Sequence, residues 1–270
     1  MPTNAPKPLI IAHRGASALA PENTFAAFQK AIDDGADGIE FDVRLAKDDV
    51  PVVFHDSTLN RLSSIKGRVS EFTSEELGKL DVGSWFNKKN PHRFNNKYSA
   101  ENVPTLLQLF DFLRDYRGLI YIELKGRNED MPRLSETICD LIRQTNLLPQ
   151  IIVKSFKLEG IAVAGQTLPE VRTAALFAPK ILDILRKKKI ILKKAQEFNA
   201  DEISIHYSLA TAKFVRRAEK KGLPVVIWTA NNPAWVKRAL KLGISAIITD
   251  NPAQLIKKRD EILRKNSMLV

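Results

Sequence analysis

Two histidines, an arginine and a pair of carboxylates fall within the first 56 residues of the chain, in Ala12-His13-Arg14-Gly15, Glu40-Phe41-Asp42 and His55-Asp56. Each group closes a short apolar, strand-like stretch, and strand ends are where α/β folds place reacting groups. In Ile39-Glu40-Phe41-Asp42-Val43 the side chains alternate, so Glu40 and Asp42 share the face opposite Ile39, Phe41 and Val43. With the apolar face toward helices, both carboxylates point inward, and buried carboxylates need partners. A hard divalent cation supplies one, since Mg²⁺ and Ca²⁺ both prefer oxygen ligands. A structural network with arginine or lysine is the competing account. Tyr121-Ile122-Glu123-Leu124-Lys125 repeats the pattern. Glu123 is therefore a third candidate ligand, and Lys125 a point charge for an anionic oxygen. His13 and His55 could divide acid and base roles near neutral pH, and Arg14 could grip a phosphate through two donors. Trp228 reads as a pocket wall or as core. His92 and His206 read as peripheral, with nothing adjacent to support catalysis.

Residues so far apart in sequence need a scaffold that gathers strand ends. Eight short apolar runs alternate with amphipathic stretches: Leu9–Ala12, Gly38–Val43, Leu119–Leu124, Ile151–Lys154, Val171–Leu176, Glu202–Ile205, Val225–Trp228 and Ala246–Ile248. Such runs, bounded by Gly, Pro or polar residues, fit buried parallel strands. Eight βα alternations predict one (β/α)8 TIM barrel spanning residues 1–270. Pro51–Phe54 reads as a short extra strand. Residues 56–103, with one helical piece at Ser74–Leu80, read as an insertion subdomain after the second barrel strand. Trp85 and Phe86 give it a modest core, and it should cover the barrel mouth. Asn23 or Thr24 caps the first helix, and Thr249-Asp250-Asn251-Pro252 enters the last.

Composition narrows the setting. The 270 residues are 44% hydrophobic, enough to bury a full core. The single cysteine, Cys139, permits no intrachain disulfide, reads as packing and predicts a reducing, cytoplasmic setting. Met1–Pro8 has no apolar leader-like stretch, and no apolar run approaches the ~18 residues of a membrane span. The net charge of +11 is concentrated in Arg186–Lys189, Lys193-Lys194, Arg216-Arg217, Lys220-Lys221 and Lys257–Arg259. These read as solvated helix faces that leave room for a weak peripheral contact with an anionic membrane. Nucleic acid is not expected, because the basic runs are not interleaved with aromatics. There is no Gly-rich nucleotide loop, no CxxC and no Ser nucleophile elbow.

At these positions the chain resembles the glycerophosphodiester phosphodiesterase family. The resemblance rests on His13-Arg14-Gly15, Pro21-Glu22-Asn23-Thr24, Glu40-Phe41-Asp42, His55-Asp56, Leu80–Phe86, Val103–Leu106, Glu123-Leu124-Lys125, Trp228–Asn231 and Thr249-Asp250, and covers nearly the whole chain. It implies a TIM barrel with a small insertion. It implies a divalent cation, Mg²⁺ or Ca²⁺, on Glu40, Asp42 and Glu123. His13 and His55 would be the acid/base pair, and Arg14 and Lys125 the phosphate contacts. The implied reaction turns a small-molecule glycerophosphodiester into sn-glycerol 3-phosphate and an alcohol, with either the glycerol 2-hydroxyl or water attacking. Two departures from the family pattern are Asn60-Arg61-Leu62-Ser63 and Lys154, where a smaller residue is common. A lysophospholipase D-type substrate and a noncatalytic phosphate-binding barrel are the alternatives.

Overall fold

In the computed structural model, residues 7–179 and 187–267 are described. The apolar runs become nine strands: β1 (Leu9–His13), β2 (Gly38–Leu45), β3 (Pro51–Val53), β4 (Leu119–Leu124), β5 (Ile151–Ser155), β6 (Arg172–Phe177), β7 (Glu202–His206), β8 (Val225–Trp228) and β9 (Ala246–Thr249). Eight of them pair in parallel in the order β1-β9-β8-β7-β6-β5-β4-β2, and a β1–β2 pairing closes the barrel. This is the expected (β/α)8 TIM barrel. The ninth strand, β3, pairs antiparallel to the end of β2 through Val43↔Val53.

Helices α1 (Phe25–Asp33), α2 (Ser74–Leu77), α3 (Ser84–Lys89), α4 (Leu106–Phe112), α5 (Met131–Arg143), α6 (Leu158–Thr167), α7 (Lys187–Glu197), α8 (Ala212–Glu219), α9 (Ala234–Leu242) and α10 (Pro252–Ser267), with six short 3₁₀ turns, complete the described elements. Period-two alternation splits each strand between two cores. Outward residues such as Ile39, Phe41, Ile120, Ile122 and Val153 pack with Phe28, Leu109, Leu134 and Ile138 from the helices. Inward residues Ile11, Tyr121, Ile152, Ala174, Val226, Ala246 and Ile248 fill the barrel itself. Cys139 is buried in the outer core beside the Ala164 carbonyl, and burial pushes its thiol up to about 11.

Several local expectations shift. Thr24 rather than Asn23 caps α1, accepting from the Ala27 amide at 3.3 Å. Helix α2 stops at Leu77, three residues early, and the chain leaves through turns at Gly78 and Leu80. Arg259 is not part of a solvated basic face. It is buried, ion-paired with Asp37, and donates to the Pro8 carbonyl at 3.3 Å, fastening α10 to the start of β1. Lys193, Lys194, Arg216, Arg217, Lys220 and Lys221 are exposed, as expected of helix faces. Arg186 of the first basic run lies outside the described residues.

Between β3 and α4, Leu59, Leu62, Val69, Leu77 and Val82 gather with Phe54 and Val103 into a separate apolar cluster that Trp85 packs against. Phe86 stacks edge-on with Trp85 and Tyr98. The Tyr98 hydroxyl donates to the Leu19 carbonyl at 3.2 Å, which ties this segment to the loop between β1 and α1.

Candidate active site

The barrel interior is mostly apolar toward the strand starts, with Glu202 the buried carboxyl there, and densely charged toward the strand ends. Strand register explains how distant residues meet there. His13 lies beside Glu40, Asp42 beside Glu123, and Glu123 beside Lys154 on adjacent strands. Because these positions all face inward, three carboxylates converge. One oxygen each from Glu40, Asp42 and Glu123 lies within 4.8 Å of the others, and all three residues are buried. They form the one such acidic group found among the described residues. A cluster of buried, oxygen-only donors of this kind suits a hard divalent cation.

Basic groups surround the carboxylates. Lys125 Nζ lies 3.3 Å from Asp42 Oδ1 and also contacts Glu123. Lys154 Nζ lies 2.7 Å from Glu40 Oε1 and 3.4 Å from Glu123 Oε2. Arg14 Nε lies 3.2 Å from Asp42 Oδ2. Burial alone would raise the Asp42 carboxyl, but Lys125 and Arg14 hold it far below the ordinary aspartate value. Glu40 is likewise lowered against its burial, chiefly by Lys154 and then His13. Burial works against Arg14, Lys125 and Lys154 too, yet the facing carboxylates raise all three.

The loop after β1 is bent to serve this cluster. Arg14 and Asn23 both adopt left-handed backbone, with φ of 55° and 58°. For residues other than glycine this region is sparsely populated and marks locally stored strain. The bend turns the Arg14 amide onto Glu40 Oε2 at 3.1 Å, and the Asn23 side chain onto Asp42 Oδ2 at 3.1 Å. Gly15 follows at φ 77°, and a Cβ there would sit 2.5 Å from the Ala27 backbone. The close turn therefore requires glycine.

Each histidine is anchored by its own carboxylate. His13 Nδ1 lies 2.6 Å from Asp250 Oδ1, and His55 Nδ1 lies 2.6 Å from Asp56 Oδ1. A carboxylate at Nδ1 holds the proton there and leaves Nε2 as the reacting nitrogen. His13 Nε2 lies 4.0 Å from Glu40 Oε2. The Asp250 carboxyl would rise on burial, but the His13 hydrogen bond and charge, with help from Asn231 and Ser17, bring it down to about 2. Burial keeps His55 below the ordinary histidine value, although Asp42 opposes the effect. The two anchors are linked differently to the rest. Asp56 accepts from Arg61 Nε at 2.6 Å, and Arg61 grips Glu22 through two donors at 2.7 and 2.8 Å. Glu22 in turn accepts from Arg14 at 2.7 Å. A continuous charged chain thus runs Asp42–Arg14–Glu22–Arg61–Asp56–His55.

The structure gathers seven of the eight sequence-derived site residues around one centre: His13, Arg14, Glu40, Asp42, His55, Glu123 and Lys125. Trp228 is on the rim instead. It stacks edge-on with Phe156 at 5.4 Å and with His206 at 5.5 Å. Phe156 is 43% exposed, and Lys125 Nζ lies 5.8 Å from its ring centre. Glu22, Arg61, Lys154, Phe156 and Asp250 enter the site without having been assigned roles from sequence. Glu22 read as part of a helix start and of the motif that carries the resemblance, and Arg61 and Lys154 only as departures from a pattern. His92 is exposed on a short turn, away from these contacts.

A closed (β/α)8 barrel that gathers two carboxylate-anchored histidines and a buried acidic triad at one end has the layout of a TIM-barrel enzyme. Residues 13–254 match the Glycerophosphoryl diester phosphodiesterase family, and the chain belongs to that family. A glycerophosphodiester phosphodiesterase from Caldanaerobacter subterraneus subsp. tengcongensis is 33% identical over 250 residues, covering 93% of this chain and 97% of that one. One from Bacillus altitudinis is 30% identical, covering 94% and 98%. Among solved structures, an Oleispira antarctica phosphodiesterase in complex with the product sn-glycerol-3-phosphate superposes with a TM-score of 0.81 at 25% identity, over 94% of this chain and 97% of that one. A glycerophosphodiester phosphodiesterase from Agrobacterium tumefaciens gives 0.73 at 29% identity, over 92% and 98%.

Proposed function

We propose that the enzyme hydrolyses glycerophosphodiesters to sn-glycerol 3-phosphate and the free alcohol. A divalent cation, Mg²⁺ or Ca²⁺, would be held by Glu40, Asp42 and Glu123, and protons would be moved by His13 and His55. The observation that carries this reading is the pair of histidines, each held at Nδ1 by a carboxylate, over three buried oxygens within 4.8 Å of one another. When bound, the cation would neutralise a nonbridging phosphate oxygen. Arg14 and Lys125, each 16% exposed at the side chain, can turn from the triad to the remaining phosphate charge as it builds in the transition state. His55, kept neutral by burial, takes the proton of the attacking hydroxyl, which is either the glycerol 2-hydroxyl or water. His13 gives a proton to the departing alcohol oxygen; where the 2-hydroxyl attacks, water then opens the resulting cyclic phosphate to sn-glycerol 3-phosphate with the two histidines in exchanged roles. Each such transfer is worth about 10²–10⁴-fold in rate. Trp228 and Phe156 would wall the substrate on the apolar side. Among the described residues no helix is long and apolar enough to cross a membrane. The lone buried cysteine, Cys139, fits a cytoplasmic setting.

The exposed Phe156 beside Trp228 favours one second reading, in which the alcohol half is apolar and the substrate a lysophospholipid. The test is a side-by-side assay of glycerophosphocholine and lysophosphatidylcholine with Mg²⁺, Ca²⁺ or EDTA. Release of sn-glycerol 3-phosphate from the water-soluble diester, lost in EDTA, is expected. Faster turnover of the lipid would overturn the substrate choice, and turnover in EDTA would overturn the role of the triad.

A further inference from the structure

Lys154 stands apart from the other basic groups of the site. Its side chain is 2% exposed, whereas Arg14 and Lys125 are 16% exposed and reach the mouth. Its ammonium bridges two carboxylates, Glu123 at 3.4 Å on the adjacent strand β4 and Glu40 at 2.7 Å on β2 beyond it. Charge counting gives it a meaning. Three carboxylates face three cations, Arg14, Lys125 and Lys154, each within 4.0 Å of at least one of them. The ion-free cluster is therefore formally neutral. A divalent cation entering the triad adds two positive charges. Lys125 and Arg14 can answer by turning outward to an anionic substrate. Lys154 is enclosed and keeps its charge against the ligand oxygens. Like charges at such short range repel strongly where water is excluded. An unpaired buried carboxylate is in turn destabilising, so the same ammonium supports the triad when no metal is bound.

We infer that Lys154 is a built-in counter-ion: it holds Glu40 and Glu123 in place without metal, and it weakens the triad's hold on a divalent cation. The inference rests on the reading of Glu40, Asp42 and Glu123 as the metal site. Lys154 acts through these carboxylates and is a positioning residue. The consequence is an exchangeable rather than a permanently bound cation, and an ion-free protein that keeps its binding geometry.

The test is calorimetric titration of Mg²⁺ and of Ca²⁺ into EDTA-stripped, dialysed protein, as wild type, Lys154→Gln, Lys154→Ser and Asp42→Asn. Thermal melts with and without cation accompany each titration. With the counter-ion removed, Kd for the cation falls about tenfold or more in both Lys154 variants. Their melting temperature drops in EDTA and is restored by saturating cation, because a ligand that binds only the folded state stabilises it. Weaker or unchanged cation binding in both variants, with wild-type binding abolished by Asp42→Asn, overturns the counter-ion role and leaves the metal site standing. No cation binding to wild type overturns both. Should the variants fold only when prepared with cation, the stand-in role is supported. Failure to fold in either condition makes Lys154 a strut and refutes it.

Discussion

Replacing Asp250 by asparagine should disable His13 without touching the metal site, and the hydrogen bonds around Asp250 say why. Its Oδ1 faces both His13 Nδ1, at 2.6 Å, and Ser17 Oγ, at 3.1 Å, while Oδ2 accepts from Asn231 Nδ2 at 2.6 Å. The orientation of Asn231 is fixed, because its Oδ1 accepts from the Asp250 amide at 2.9 Å and from Thr249 Oγ1 at 3.0 Å. An asparagine at 250 therefore cannot present its NH₂ to Asn231, since two donors would meet. It turns that NH₂ toward His13, so Nδ1 must accept instead of donate, and the doubly protonated imidazolium that gives up its Nε2 proton is no longer supported. The lost charge counts as well. Asp250 is brought from the ordinary value of 3.8 down to about 2, largely by His13 once burial is overcome, which corresponds to about 2 kcal/mol favouring the charged pair. With the imidazolium form lost, kcat should fall about 10²–10³-fold, inside the range for one acid/base group. Steady-state assay of sn-glycerol 3-phosphate release, with calorimetry to show unchanged cation affinity, makes the measurement. The double variant Asp250→Asn/Asn231→Asp gives the new amide an acceptor, lets its carbonyl face His13, and should recover about tenfold. Asp250→Asn within threefold of wild type would refute the reasoning.

Two further outcomes concern other parts of the barrel. Arg61→Gln breaks both bonds to Glu22 and the bond to Asp56. Since the side chain is 44% exposed, each contact is weak, and kcat/KM should fall about fivefold with the melting temperature unchanged; a loss no greater than twofold would contradict the link from Arg61 to His55. Glu202 sits at the opposite end of the barrel, where burial pushes its carboxyl up to about 7 although Tyr121 and Arg172 pull the other way. Unfolded, it ionises near 4.3, so between about pH 4.5 and 7 the unfolded chain binds fewer protons and stability declines as pH rises, levelling above 7. Glu202→Gln should flatten that decline in thermal melts from pH 5 to 8, and an unchanged slope would refute it.

Much of this was legible in the sequence, for physical reasons that differ by residue. Glu40, Asp42 and Glu123 could be read because period-two alternation puts them opposite an unbroken apolar face, and no other orientation buries Ile39, Phe41 and Ile122. The eight strands were visible for the same reason, with only end shifts such as β6 moving to Arg172–Phe177. The groups that were not legible act through contacts made after the barrel closes. Asp250 meets His13 across 237 residues, because β9 lies beside β1. Glu22 is five residues past Ser17 and looked like a helix start, yet the left-handed backbone at Arg14 and Asn23 turns this loop into the site. Arg259 looked like one more surface cation in a basic run, and only the packing of α10 on β1 reveals its pairing with Asp37. Trp228 was placed correctly at a strand end, but its partners on the rim are Phe156, just past β5, and His206, at the end of β7.

The central claim is that two carboxylate-anchored histidines move the protons over a carboxylate triad that holds the cation. It is tested most directly by His13→Ala and His55→Ala, each assayed for sn-glycerol 3-phosphate release from glycerophosphocholine at saturating cation, with cation binding measured on the same samples. Both variants should bind cation like wild type and lose about 10²–10⁴-fold in kcat. Near wild-type turnover in both, with the metal in place, would contradict the account.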